Sequence, residues 1–283
     1  MIDDVTDIAA YYNSDPEREH GRLERHQLEY DLTWRYLNQY LPNQGSILEV
    51  GIATGRYTLE LAKRGYTLTG VDLSAALVEE CRKRIADEGL ERQVRLVVAD
   101  ARNLGDMVEK EFDAVLLMGP LYHLVEESDR KLALKEAFDR LREGGILFSS
   151  FLSRFGIMGE MLKKDPSWIE NRAQLRSMLQ SGKRPDDFPQ GGFRGYFAQI
   201  SEIAPLHEAI GFETMVLAGI EPAISADDES YNKLKGEQRQ LWLDLFYEIS
   251  AERSIIGSSR HLLYIGKKKL PERKPSFSLK LLM

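Results

Sequence analysis

Cysteine is almost absent: the 283-residue chain has one, Cys81. A single thiol closes no internal disulfide and builds no cysteine zinc site, which removes disulfide scaffolds and zinc-ribbon folds at the outset. Long apolar runs are missing as well. No stretch approaches the roughly 18 consecutive apolar residues of a membrane-spanning helix, and the opening MIDDVTDIAAYYN is acidic where a signal peptide has its apolar core. Positive charge is in deficit, with 38 Lys and Arg against 45 Asp and Glu and a net charge of −7. Chains that grip phosphate backbones are usually basic, so nucleic acid is disfavoured as a partner. Internal repeats are missing, no His/Asp/Glu spacing suggests a metal, and the Gly-Lys-Ser/Thr of a phosphate-gripping P-loop does not occur. These absences predict a cytoplasmic protein with no membrane contact and no bound metal.

What is present is alternation. Hydrophobic residues make up 43% of the chain, enough for the core of one large domain. SILEV (46–50) is a short apolar run that stops at a glycine turn, the pattern of a buried parallel strand. RYTLELAKRG follows as a helix with Tyr57, Leu61 and Ala62 on one side and Gly65 at its end. YTLTGVD (66–72) reads as a second strand, and Ser74 as the cap of a helix carrying Leu77, Val78, Cys81 and Ile85. QVRLVVAD and FDAVLLMG are strands three and four. DRKLALKEAFDRLREGG is an amphipathic helix ending in glycines, and ILFSSFL a fifth strand. Such repeated strand–helix units predict a Rossmann-like α/β fold: a seven-stranded, mostly parallel sheet with helices on both faces.

The rhythm breaks after Phe151. Helix-compatible pieces, GIMGEMLKK and PSWIENRAQLRSMLQSG, lead into the turn-rich KRPDDFPQGGFRG, which reads as an insertion over the carboxyl edge of the sheet, where open α/β folds bind ligands. Helix, strand, helix and strand then resume, ending with RHLLYIGKK. The segment before the sheet has Leu23, Gln27, Tyr30, Trp34 and Leu37 at helical spacing. The expected organisation is an N-terminal helical cap (1–44), a ligand-binding half (45–153), a lid insertion (154–198), a second half of the sheet (199–269) and a basic tail (270–283).

The central question is the turn Glu49-Val50-Gly51-Ile52-Ala53-Thr54-Gly55. A dinucleotide fingerprint wants glycine at its first, third and sixth places, which here are Gly51, Ala53 and Arg56, and a bulky cation at the sixth would crowd a pyrophosphate. Acid-x-Gly-x-Gly/Ala-x-Gly after a first strand instead resembles motif I of the class I S-adenosylmethionine-dependent methyltransferases. Acids also close the next two strands, at Asp72 and Asp100. The resemblance covers Gly45 to Phe151 closely and extends loosely to the final strand, which in this fold is antiparallel and inserted beside its predecessor. Ala53 departs from the more usual middle glycine.

The resemblance implies S-adenosyl-L-methionine as cofactor and S-adenosyl-L-homocysteine as product. It assigns Tyr12, Glu49, Gly51, Ala53, Gly55, Asp72, Leu73, Asp100, Ala101, Arg102, Met118 and Gly119 to the cofactor. Gly51 and Gly55 would let the backbone approach it. Asp72 would grip both ribose hydroxyls and Asp100 the adenine amine, with Leu73 and Arg102 flanking the adenine and Ala101 offering an N–H. The segment LLMGPLYHL (116–124) stands where substrate meets the methyl group. It lacks the Asn/Asp-Pro-Pro-Tyr/Phe of nucleic-acid amine methylation and looks like a branch of small-molecule methyltransferases of bacteria. Tyr122 and His123 are the catalytic candidates, His123 as a base with an ordinary pKa near ~6.5 or as a group that orders the loop. His26, Arg194 and Tyr196, with Phe197, are candidates for the substrate side, and Tyr11, Arg22 and Arg25 for closure of the cap. The expected function is methyl transfer to oxygen or nitrogen of a small metabolite. The alternatives are an RNA- or protein-modifying enzyme of the same fold and a non-catalytic S-adenosylmethionine-binding domain. Oligomeric state is left open.

Overall fold

A computed structural model describes residues 3–106, 108–164, 166–184, 194–222 and 227–270. Its strands are β1 (Ser46–Val50), β2 (Thr67–Asp72), β3 (Val94–Val98), β4 (Phe112–Leu117), β5 (Leu141–Ser153), β6 (Phe197–Ala198), β7 (Phe212–Gly219) and β8 (His261–Lys268). They form one sheet in the order β3-β2-β1-β4-β5-β8-β7, with the two-residue β6 paired to β5. The seven-strand path is the expected one, and β8 lies antiparallel between β5 and β7. The eighth strand is too short to leave a pattern in the sequence. The order reverses between β1 and β4, and open sheets bind ligands at such a switch point.

The inner strands β1, β2 and β4 are buried on both faces, which is why they read as continuous apolar runs. Successive residues of β4 show the alternation: Ala114 and Leu116 join one core with Leu37 and Leu61, Val115 and Leu117 the other with Leu134 and Phe151. Helices 27–40 and 56–63 therefore cover one face and helix 127–140 the other.

Two local differences from the sequence reading have physical causes. The helix expected to run into Gly144 and Gly145 stops at Arg140, and Leu141 already pairs with Phe112 in β5. Those glycines serve a bulge, where Gly144 has φ +72° and a Cβ on Gly145 would come within 2.9 Å of the Leu141 side chain. The N-terminal segment folds as four helices, Thr6–Ser14, Pro16–His20, Arg22–Arg25 and Gln27–Tyr40, because Pro16 and Gly21 interrupt it. The insertion contains helices Ile157–Lys164 and Arg172–Ser181, separated by a 3₁₀ segment, Pro166–Glu170. Its GGF (191–193) and the basic tail from 271 onward lie outside the described residues. Among the described residues no helix is long and apolar enough to cross a membrane.

Candidate active site

β1 delivers Glu49 and Val50 into the turn that ends it. Gly51 (φ +85°) and Gly55 (φ +86°) occupy the left-handed region open to glycine, and so does Ala53 (φ +50°). Asp72 at the end of β2 explains how an alanine is held there. One of its oxygens accepts the Ala53 N–H at 2.9 Å and the other the Ser74 N–H at 2.9 Å, so this carboxylate fastens the turn to the start of the next helix. Ser74 in turn caps that helix, accepting from Leu77 N at 3.2 Å.

The two glycines are needed first for packing. A Cβ on Gly51 would stand 2.8 Å from the Pro120 ring, and one on Gly55 only 2.4 Å from the Cys81 sulfur. Gly51 brings the β1 turn against the loop after β4, and Gly55 lets the helix bearing Cys81 approach. Gly55 does not line the cavity described next.

That cavity opens at the carboxyl ends of β1, β2 and β4, the edge at which open α/β sheets bind small molecules. Its floor is Glu49, Gly51, Ala53, Asp72, Leu73, Asp100 and Ala101; its wall is Met118, Gly119, Pro120, Tyr122 and His123. Val5, Ile8, Tyr12, Glu19, His20 and Arg22 of the short N-terminal helices complete it. Thirteen of the candidate residues thus meet in one place: Tyr12, Arg22, Glu49, Gly51, Ala53, Asp72, Leu73, Asp100, Ala101, Met118, Gly119, Tyr122 and His123. The cap contributes Glu19 and His20, which the sequence reading missed. Nothing in their local pattern marks them, since only the breaks at Pro16 and Gly21 turn them inward.

The acids differ in their surroundings. Glu49 is 3% exposed and accepts the Thr58 hydroxyl at 2.6 Å; burial, reinforced by Asp72, pushes its carboxyl up to about 8. Burial also raises Asp72, to about 6, against the lowering pull of its backbone donors. Asp100 is clasped by Arg102, whose Nη2 donates at 2.6 Å and whose Nη1 reaches Asp129 at 2.7 Å. Arg102 is therefore committed to Asp100 and Asp129 and does not line the cavity. The Tyr122 hydroxyl is raised to about 12 by burial. His123 is buried, and desolvation lowers it to about 3, so its imidazole is neutral at physiological pH.

The three substrate-side candidates fall outside this cavity. Tyr196 donates to Glu202 at 2.5 Å, and its ring lies under the Arg130 guanidinium, 3.6 Å from the centroid. Its backbone N–H still holds the Tyr122 carbonyl at 2.8 Å. Phe197 is buried in a satellite core with Ile157, Met161, Trp168 and Met178. Arg194 pairs with Asp3 and Asp7 of the cap. His26 belongs to a buried polar cluster beside the cavity, with its Nδ1 2.9 Å from Asp228 and 2.8 Å from Arg260. The cluster continues through Glu221 and His261 to Glu29, which Arg22 grips with two bonds of 2.9 and 3.0 Å. His26, Glu221 and Asp228, and likewise Glu29, Glu221 and His261, bring ligand-type atoms within 4.8 Å of one another. Arg260 and Arg22 already supply countercharge to these carboxylates.

Comparison with known proteins agrees with this geometry. Residues 47–145 match the family model of a methyltransferase domain. The carboxy-S-adenosyl-L-methionine synthase of Aliivibrio salmonicida is 32% identical over 162 residues, covering 52% of this chain and 65% of that protein. The tRNA 5-carboxymethoxyuridine methyltransferase of Escherichia coli is 24% identical over 138 residues, covering 47% and 51%. The chain thus spans about half to two thirds of the length of these curated relatives. Among solved structures, a Thermotoga maritima protein described as a SAM-dependent methyltransferase and possible histamine N-methyltransferase superposes with a TM-score of 0.56 at 19% identity, over 93% of this chain and all of that one. This sheet order and these matches give the chain the fold of the S-adenosylmethionine-dependent methyltransferases, with residues 47–145 matching a methyltransferase domain.

Proposed function

We propose that this protein transfers the methyl group of S-adenosyl-L-methionine to an oxygen or nitrogen of a small metabolite. The observation that carries the proposal is the convergence of three strand-end acids, Glu49, Asp72 and Asp100, on one cavity walled by Tyr122 and His123. The residues present fit the cofactor: acidic groups for a cationic ligand, a backbone turn left free of bulk at Gly51, and apolar Leu73 and Met118 for a flat ring. In this reading Asp72 takes the ribose hydroxyls, Asp100 and Ala101 the adenine edge, and Glu49 the methionyl ammonium. When bound, the cofactor supplies a methyl on a cationic sulfur, and in-line displacement from such a group depends mainly on proximity and orientation.

The chain's own residues would serve that orientation. Tyr122, His123, Tyr12 and Glu19 line the same cavity, with the Tyr12 hydroxyl against the His123 ring, so an acceptor would meet two hydroxyls, an imidazole and a carboxylate. A His123 lowered to about 3 holds a proton poorly, which favours positioning of the acceptor by hydrogen bonding over proton abstraction. Cap and lid are read as the parts that close the site and exclude water. The acidic balance and single cysteine suit a reducing, cytoplasmic setting.

A tRNA substrate is the second reading, because one relative carries that activity; the net charge of −7 weighs against it. The test is calorimetry with S-adenosyl-L-homocysteine, followed by a screen of amine and hydroxyl metabolites for release of that product. Product formation with small acceptors supports the proposal. Product formation with tRNA alone would replace it by the second reading, and failure to bind would end both.

A further inference from the structure

Two carboxylates meet in the cavity without a countercharge of their own. Glu49 has the Thr58 hydroxyl, and Asp72 has the amides of Ala53 and Ser74. Among the described residues neither makes an ion pair. The charged groups around them are engaged elsewhere. From the cap, Arg22 is held by Glu29 and Glu19, and His20 by Thr54 and Arg84. From the helix after the turn, Arg56 reaches Glu24 and lies over the Tyr30 ring. On β3's side Arg102 is committed to Asp100 and Asp129. The Cys81 thiol, beside both acids, is pushed up to about 12 by burial and adds no cation.

Two buried carboxylates facing one cavity cannot both ionise without a large desolvation cost, and the least costly relief is a proton on one of them. Glu49 is the more buried, lacks the backbone donors that hold Asp72, and is the one raised further, to about 8. We propose that Glu49 holds a proton until a cationic ligand displaces it, so that the cofactor enters by exchanging one positive charge for another. This rests on the methyltransferase reading, which supplies the cation.

The exchange has a sign. Binding releases a proton, so affinity weakens as pH falls from about 8 toward 6, by about tenfold per pH unit while one whole proton is released. It also makes the site select for charge. Adenosine, which carries the nucleoside without sulfonium or ammonium, has nothing to put in the proton's place.

The experiment is calorimetry of the full chain at pH 7 in two buffers of widely different ionisation enthalpy. S-adenosylmethionine is expected to release about one proton and adenosine almost none. Glu49→Gln should bind S-adenosylmethionine without release. Binding of S-adenosylmethionine with equal heat in both buffers would overturn the exchange and leave the methyltransferase reading standing, as would release that persists in Glu49→Gln. If that variant does not fold, the wild-type affinity between pH 6 and 8 decides: a fall of about tenfold per unit supports the exchange and a flat profile overturns it. No heat with S-adenosylmethionine in either buffer would overturn the functional reading and this inference together.

Discussion

The hydroxyl of Tyr12 lies 3.0 Å from Nε2 of His123, so a side chain of the first helix meets the loop that follows β4 although 111 residues separate them. The same helix is tied elsewhere by Asn13, whose carbonyl oxygen accepts from the Ser74 hydroxyl at 2.7 Å and from Ala76 N at 3.1 Å. These contacts close the cap over the cavity. Tyr12→Phe removes one of them while keeping the ring. A loss of about 1 kcal/mol of stability is expected, together with faster amide exchange over residues 6–14. Unchanged denaturation and exchange would show that the contact does not hold the cap.

Asp72 has two jobs that separate experimentally. It fastens the turn through Ala53 and Ser74, and it is proposed to hold the ribose. Asp72→Ala should weaken S-adenosyl-L-homocysteine binding by roughly 1.5–3 kcal/mol, the scale of a hydrogen bond to a charged group, and should also lower Tm. Unchanged affinity in calorimetry would refute the ribose role. A lowered Tm with intact affinity would leave only the turn.

Ala53 sits at φ +50°, where an L-residue with a Cβ is strained by about 1–2 kcal/mol. Ala53→Gly should relieve part of that strain, offset by the extra freedom glycine has in the unfolded chain. A net gain of about 0.5–1 kcal/mol is expected in chemical denaturation. A loss would mean that the alanine methyl makes a packing contribution larger than the strain.

His207 is fully buried, with Nδ1 2.7 Å from the Ile203 carbonyl and Nε2 2.8 Å from the Ser149 hydroxyl. The carbonyl fixes the proton on Nδ1, so Nε2 accepts from Ser149. Burial lowers this histidine to about 3. The unfolded chain takes up a proton below about pH 6.5 and the native one does not, so acid favours unfolding. Relative to His207→Gln, the wild type should lose about 1.4 kcal/mol per pH unit between 6.5 and about 3. Parallel stability curves for the two proteins would contradict the buried neutral state.

Much of the fold was legible because parallel strands buried on both faces leave runs such as SILEV and AVLL that few other structures explain. Gly51 and the acids at 72 and 100 were legible for a related reason: the carboxyl ends of neighbouring parallel strands are adjacent in space whatever happens between them, whereas Gly55, expected beside the ligand, packs against Cys81 and does not line the cavity. Gly144 and Gly145 misled, because a bulge and a helix end use the same residue. Arg102 misled because its direction depends on Asp129 and the Asp3 carbonyl, far away in sequence.

Local order, charge balance and the position of the turn are written in residues that act on their neighbours, and the sequence by itself determined them. Which side chains face the cavity was decided only by tertiary structure. Glu19 and His20 enter it because the chain breaks at Pro16 and Gly21; His26 and Tyr196 leave it because Arg260 and Glu202 bind them elsewhere. The direction of a polar side chain is set by whichever partner relieves its burial, and those partners are brought together only when the sheet and its helices have packed.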